Sequence, residues 1–209
     1  MQNSFPYIDI LIFGVIAIFL IFRLKNILGT KTGFEETDIA QKAQEKQYTN
    51  IIPLKSNQDN AVISELNKIL KVDPDFNIEE FLSGSKTFFE MVLNSFVSGN
   101  LDSIKDYTKL SVLKSFKAAI DERNKEQEKL IIELKSIKKN KIIKSTINRS
   151  SIKINVEFES FQVRALIDKN DEIIDGDNEK EILVKDEWVF EKKINNDNPD
   201  WTLIETKSN

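Results

Sequence analysis

The first apolar stretch of the chain has no polar face. Residues 10–22 read ILIFGVIAIFLIF, and polar residues flank them on both sides. A helix that crosses a bilayer needs about 20 residues, and residues 5–24 supply that length if the side chains of Asp9 and Arg23 reach the headgroups. This pattern predicts a single membrane-spanning helix. The side chains expected to form the anchor are Ile8, Ile10, Leu11, Ile12, Phe13, Val15, Ile16, Ile18, Phe19, Leu20, Ile21 and Phe22.

The flanking charges set the expected orientation of this helix. Arg23, Lys25 and Lys31 follow the apolar run, and no Lys or Arg precedes it. A cleaved signal peptide carries its positive charge before the run, and a buried core helix keeps a polar face, so a retained anchor fits better than either. Positive residues stay on the cytoplasmic side. We therefore expect a single-pass protein of a bacterial inner membrane, with its N-terminus outside and these three residues near lipid headgroups.

A polar stretch and several helices follow the anchor. Residues 1–34 form the anchor and its basic turn, and residues 35–72 read as a linker with a weak helix at 61–70. The apolar island at residues 51–54 is a chance feature, docks back on the domain or binds a partner, and the sequence leaves these alternatives open. The strongest helix begins after Asn77, a favoured N-cap residue type, and ends before Gly99, a residue type favoured at the position just after a helix. Shorter helical patterns cover residues 101–107 and 111–127.

The pattern changes to strands near Lys129. Residues 130–138 and 142–148 read as two strands, and residues 152–158 alternate apolar and polar, which is typical of a half-buried strand. The apolar phase then moves to Phe161 and Val163, which predicts a bulge near residues 159–160. Further strand patterns cover residues 172–176, 181–193 and 201–206. The chain is therefore predicted to be α+β, with a domain at residues 73–209 built on four to five antiparallel strands.

Composition removes several kinds of chemistry. The chain has no Cys and no His, which excludes Cys/His zinc sites, disulfides and Ser-His or Cys-His catalysis. The formal charge is −4 overall and −6 after residue 34, which argues against a nucleic-acid ligand. Without His, a general base would have to be a carboxylate. The positions of the carboxylates in the sequence fit solvent-exposed turns and strand faces better than a catalytic role. The carboxylates considered are Glu157, Glu159, Asp168, Asp175 and Asp177. We predict no cofactor, no metal and no enzymatic activity.

Several short motifs, taken in order, resemble the Tim44-like domain family. They are FLSGSK (81–86) with FEM (89–91), FVSGNL (96–101), FES (158–160), DGD (175–177), EWVF (187–190) and NPDWTL (198–203), with an apolar run and Arg23-Leu24-Lys25 at the start. The resemblance implies a curved antiparallel sheet with helices packed into its concave side, similar to the NTF2-like cone, and a large apolar pocket. The pocket candidates are Phe96, Phe116, Phe158, Phe161, Trp188 and Phe190.

The resemblance and the anchor together favour a binding protein over an enzyme. We expect an adaptor at the inner membrane that acts in protein transport or assembly, with membrane lipid and one or more proteins as partners and an apolar ligand in the cone. An acyl-chain or lipid binding module is the first alternative, and a ribosome-to-membrane tether is the second, although the acidic body speaks against it.

Overall fold

A computed structural model describes residues 57–194 and 200–208 of the 209-residue chain. The predicted anchor, its basic flank and the apolar island at residues 51–54 lie outside these residues, so they remain predictions. Within the described ranges, no helix is long and apolar enough to cross a membrane.

Three α-helices come first along the chain. They are α1 (Asn57–Val72), α2 (Ile78–Ser98) and α3 (Leu110–Lys125), with a 3-10 turn at Lys105–Tyr107 between α2 and α3. Helix α1 is longer than the weak helix predicted at residues 61–70, and its Leu66 and Ile69 are buried against the sheet. The folded core therefore extends to the N-terminal side of Asp73, because the apolar face of α1 closes over strand β1.

The ends of α2 follow the predicted capping chemistry. The side-chain oxygen of Asn77 accepts hydrogen bonds from the backbone N–H groups of Glu79 at 2.9 Å and Glu80 at 3.1 Å. At the other end, Gly99 takes the left-handed conformation (φ 78°) and its N–H donates to the Ser95 carbonyl at 3.0 Å. Both ends satisfy backbone groups that a helix leaves without partners, so these local signals determine where α2 begins and ends.

Four strands form one curved antiparallel sheet in the order β1-β2-β3-β4. Their bounds are β1 (Lys129–Ile147), β2 (Ser151–Ile167), β3 (Ile173–Lys193) and β4 (Thr202–Ser208). Two of the predicted divisions are wrong. Residues 130–148 contain one long strand instead of two, and residues 172–176 belong to the same strand as 181–193. In each case the polar residues that suggested a break sit at register irregularities within a continuous strand.

The predicted bulge near residues 159–160 is displaced. The irregularity opposite Glu159 and Ser160 lies in β1, where the register moves between Ile137 and Lys139. In β2 itself the inward positions continue through Ser160 and Gln162, both fully buried, and the phase changes only at Val163. The prediction assumed that inward positions stay apolar, whereas here two polar residues occupy them.

Aromatic side chains fill the space between α2 and the sheet. The Phe89 ring stacks on Phe158 at 4.5 Å between centroids and packs against Trp188 at 4.8 Å. Phe81 meets Phe190 edge-on at 5.8 Å, and Trp201 lies 4.8 Å from Phe81. Such pairs add about 0.5–1.5 kcal/mol each beyond the area they bury, so this cluster anchors the helix on the sheet.

Candidate functional site

A cavity of about 790 Å³ lies between the C-terminal half of α2, helix α3 and one end of the sheet. Its volume falls within the range of roughly 300–1,000 Å³ that is typical of ligand pockets. Most of its surface is apolar, and charged residues of α3, of the turn that follows it and of strands β2, β3 and β4 also line it. The apolar wall residues are Val92, Leu93, Phe96, Phe116, Ala119, Leu130, Ile132, Ala165, Leu166, Ile174, Ile182 and Trp188.

The six aromatic pocket candidates occupy three different places. Phe96, Phe116 and Trp188 lie in the cavity wall. Phe158 and Phe190 belong to the packed aromatic core and do not reach the cavity. Phe161 is half-buried and alternates with the inward residues Ser160 and Gln162, which places its side chain on the opposite face of the sheet.

The cavity forms where the inward side chains of β2 change from an all-apolar series to one that includes polar and small residues. From residue 152 to 158 these positions hold Ile, Ile, Val and Phe, and all four are fully or almost fully buried beneath the helices. The next inward positions are Ser160 and Gln162, followed after the phase change by Val163 and Ala165. Ala165, which has a short side chain, lies in the cavity wall.

Polar side chains on β2 form a short ladder beside the cavity. The Gln162 side-chain N–H donates to the Ser160 hydroxyl at 2.7 Å, and Arg164 Nε donates to the Gln162 carbonyl oxygen at 2.8 Å. These bonds satisfy Ser160 and Gln162 although both are fully buried, which removes most of the penalty for placing them in the core. Burial lowers the pKa of Arg164, and the charge of Asp186 partly offsets that effect.

Asp186 on β3 brings a carboxylate to the same end of the cavity. It is only 7% exposed, and desolvation raises its pKa, while hydrogen bonding by Ser208 and the charge of Arg164 oppose the rise. Its Oδ2 atom is buried and has no hydrogen-bond partner among the described residues. Asp186 was not among the predicted site residues. The signal was present, because Asp186 alternates with Val184 and Trp188 and so faces inward.

Arg123 holds the helical side of the cavity together. Its Nη2 donates to the carbonyl oxygens of Phe96 at 3.0 Å and Val97 at 3.1 Å, and its guanidinium carbon lies 5.6 Å from the Phe96 ring centroid. A cation at the C-terminal end of a helix also interacts favourably with the helix dipole. Burial lowers the pKa of Arg123, with Glu128 opposing the effect. Arg123 thereby fixes α3 against the end of α2.

Gly176 lets β3 approach β2 beside the cavity. It pairs with Ala165 and has φ 77°, and a Cβ atom at this position would lie 2.3 Å from the Arg164 carbonyl oxygen. Only glycine combines this left-handed backbone with such close contact. Gly176 therefore sets how closely the two strands pack where the ladder ends.

The predicted carboxylate candidates mostly cap turns or pair with lysines. Asp168 accepts backbone hydrogen bonds from Asn170 and Glu172, and Asp177 accepts them from Glu179 and Lys180. These bonds lower the pKa of both carboxylates. Asp177 also stands at the cavity edge, together with Asp175, whose pKa is raised by burial.

Glu157 and Glu159 lie on the outer face of the sheet. Lys139 forms ion pairs with both of them, and Lys185 pairs with Glu159 at 3.0 Å. Their place in the β2 alternation points them away from the cavity, as the sequence predicted.

Comparison with known proteins assigns the family. No curated protein matches the chain. The family model described as Tim44-like domain matches residues 62–208, which cover most of α1, the aromatic core, the cavity and all four strands. The motifs noted in the sequence from residue 81 onward fall within this match. The chain belongs to the Tim44-like domain family.

Proposed function

We propose that this protein is a non-enzymatic adaptor at the bacterial inner membrane, and that its Tim44-like domain receives an apolar part of a partner protein. The observation that carries the proposal is the cavity of about 790 Å³ with its mostly apolar wall. Transfer of apolar surface from water into such a wall is favourable by about 25 cal/mol per Å². The predicted N-terminal anchor would keep this site near proteins that enter or leave the membrane.

The composition of the wall fits binding better than reaction. Apolar atoms make up most of the cavity surface, and charged side chains, Arg164 and Asp186 among them, also line it. Polar groups placed in a mostly apolar cavity orient a ligand and give specificity. Gln162 donates to the Ser160 hydroxyl and accepts from Arg164, so these two buried polar side chains have hydrogen-bond partners.

Crosslinking in cells tests the proposal with two neighbouring alanines. Ala119 on α3 lies in the cavity wall, whereas Ala118 is exposed and does not line the cavity. A photo-crosslinking amino acid at position 119 should trap a partner protein, and the same residue at position 118 should trap much less of it. Removal of residues 1–34 should abolish the adduct if the anchor brings the two proteins together.

Acyl-chain binding is the second candidate, and the apolar wall favours it as well. If position 119 gives only lipid adducts in cells, the adaptor proposal fails and the lipid-binding function replaces it. Equal protein adducts from positions 118 and 119 would show contact with a surface of α3 instead of the cavity, which would also contradict the adaptor proposal as stated.

A further inference from the structure

One part of the sheet has a free edge beside the cavity. Strand β4 pairs with β3 only at residues 186–191, and residues 178–180 of β3 leave its ladder with β2. Residues 181–185 therefore pair with β2 on one side, and no strand among the described residues pairs with their other side. Because a central strand directs backbone N–H and C=O groups to both neighbours, this side can accept a further strand.

The outer edges of the sheet, in contrast, are protected. On β1, two of the three register irregularities insert a lysine, Lys135 and Lys138, and both are exposed. Lysines and bulges on an edge strand prevent pairing with another chain. On β4, Leu203 bridges to Thr108 and its carbonyl accepts a hydrogen bond from the Lys109 N–H at 2.8 Å. The segment before α3 therefore covers part of that edge.

The free edge of β3 carries apolar side chains on both faces. Ile182 lines the cavity, and Val184 is buried on the same face. Leu183 lies on the outer face opposite Phe161 and is 43% exposed. Neither a charged residue nor a register irregularity interrupts residues 182–184. An unprotected apolar edge of this kind fits a partner that supplies an extended apolar strand.

The charged residues at the two ends of this segment restrict the partner further. Lys185 forms an ion pair with Glu159 at 3.0 Å, whereas Glu181 is exposed and has no ion pair within the described part of the chain. Oppositely charged residues in directly opposed positions stabilise neighbouring strands, so a cation opposite Glu181 is favoured. The charged residues that line the cavity have the same net sign, since six are acidic and four are basic.

We propose that an extended apolar segment of the partner protein, with a Lys or Arg at one end, adds as a strand to β3 along residues 181–185. Its backbone pairs with the free edge, and its basic residue lies opposite Glu181. Its inward side chains lie beside Ile182 and face the cavity, while its outward side chains cover Leu183. This inference rests on the proposed function, because it names the form in which the apolar part of the partner binds.

A synthetic peptide tests the strand addition. Its sequence is Ser-Glu-Val-Leu-Val-Lys-Ser with a fluorescein label, and antiparallel pairing places Val-Leu-Val opposite residues 182–184 and the lysine opposite Glu181. Fluorescence anisotropy measures its binding to the full chain in phosphatidylcholine nanodiscs. One control peptide is N-methylated on both valines, and the other is N-methylated on the leucine and the lysine.

The two N-methylated peptides should bind differently. Successive N–H groups of a strand point to opposite edges, so only one of the two peptides loses its hydrogen bonds to β3. That peptide should bind at least about tenfold more weakly than the other, although both have the same side chains. Equal binding by the two N-methylated peptides, or no binding by the unmethylated peptide, would overturn the inference.

A lysine on the free edge should prevent the pairing, as the lysines of β1 do on theirs. Leu183→Lys should weaken binding of the unmethylated peptide at least about fivefold. Leu70→Lys is the matched control, because Leu70 is 39% exposed and lies on α1, outside the sheet. Both positions are exposed, so both variants should remain folded, which circular dichroism verifies. Equal effects of the two substitutions would contradict the inference.

A charge exchange tests the position of the basic residue. Glu181→Lys should weaken binding of the peptide about two- to fivefold, because two lysines then lie opposite each other. A peptide with glutamate in place of its lysine should restore the binding to this variant, a result that a purely structural effect of the substitution would not give. Absence of this rescue would remove Glu181 from recognition.

Other occupants of the edge would give different results. A second copy of the chain would appear as wild-type dimers in analytical ultracentrifugation that Leu183→Lys converts to monomers, and this would overturn the inference. A protein adduct at position 119 that persists in Leu183→Lys would also overturn it, but would leave the proposed adaptor function standing. Failure of the proposed function would appear separately, as absence of a protein adduct at position 119 of the otherwise unchanged chain.

Discussion

The inner face of the sheet has two halves that are built differently from the same strands. In the filled half, the fully buried Phe89 from α2 stacks on Phe158 and packs against Trp188. In the open half, the inward residues next to Arg164 and Asp186 enclose a cavity of about 790 Å³. Trp188 belongs to both halves, since one part of it packs on Phe89 and it also lines the cavity.

The difference separates the half that supplies most of the folding stability from the half that we propose binds a ligand. The filled half buries large apolar side chains, which are the main source of folding free energy. The open half buries less apolar surface. It also contains a buried polar atom, Asp186 Oδ2, that has no hydrogen-bond partner among the described residues. Departures from a well-packed core are expected at functional sites. Four pairs of substitutions test the separation, from the largest expected effect to the smallest.

Truncation in the filled half should be the most damaging change. Phe89 is fully buried, so Phe89→Ala should lower the free energy of unfolding by about 3–5 kcal/mol in urea denaturation. The matched change at the open half is Phe96→Ala. Because Phe96 is only half-buried beside an existing cavity, it should lose roughly 1–2 kcal/mol. Equal losses at both positions would contradict the division into two halves.

Removal of the clamp between α2 and α3 should have the next largest effect. Arg123→Met keeps an unbranched side chain but loses both hydrogen bonds to the Phe96 and Val97 carbonyls. We expect a loss of about 1–3 kcal/mol in the free energy of unfolding. Arg149→Met is the control, because Arg149 is exposed in the turn between β1 and β2 and should give no measurable change. A stable Arg123→Met variant would show that the helices hold the cavity shape without the clamp.

Gly176 and Gly84 should respond to alanine in opposite directions. At Gly176 the new Cβ meets the Arg164 carbonyl and the backbone is left-handed, so we expect a loss of at least about 1–2 kcal/mol in thermal or urea unfolding. At Gly84 nothing lies within 4 Å of the new Cβ, and the helix interior should gain roughly 0.5–1 kcal/mol. A gain at both positions would mean that β3 can move away from β2 at no cost.

Asp186→Asn should mainly change how the free energy of unfolding depends on pH. The folded pKa of Asp186 is raised above its ordinary 3.8, so the protonated form is favoured by folding. Its contribution to stability is complete below that ordinary pKa and is lost as pH rises through the folded pKa. The variant lacks this loss, so its free energy of unfolding should rise relative to wild type from acid to neutral pH.

The control for this pH dependence is Asp168→Asn. The pKa of Asp168 is lowered by the backbone hydrogen bonds of Glu172 and Asn170. Its contribution is present above the ordinary pKa and is lost in acid, so this variant should fall relative to wild type from acid to neutral pH. Urea unfolding at several pH values measures both trends. Trends of the same sign in the two variants would contradict the assignment of Asp186 as a desolvated carboxylate.

Local sequence signals predicted the helices and strands better than the positions where strands end or change register. The capping of α2 by Asn77 and Gly99 depends on groups within a few residues, and the structure confirms it. The breaks expected within β1 and β3 were wrong, because a polar residue at a strand irregularity looks the same in sequence as a polar residue in a turn. The position of the β2 phase change was wrong for a related reason, since Ser160 and Gln162 are buried despite being polar.

The sequence by itself determined the helices, the alternating strands, the absence of His and Cys chemistry and the motifs of the Tim44-like family, because each depends on residue type and near neighbours. Only the tertiary structure decided which inward positions would be filled and which would line a cavity. Arg164 lies on β2 and Asp186 lies on β3. The effect of each charge on the pKa of the other group therefore depends on the pairing of these two strands. A strand pattern states which face a side chain occupies, but the elements packed opposite decide whether that face is solid or open.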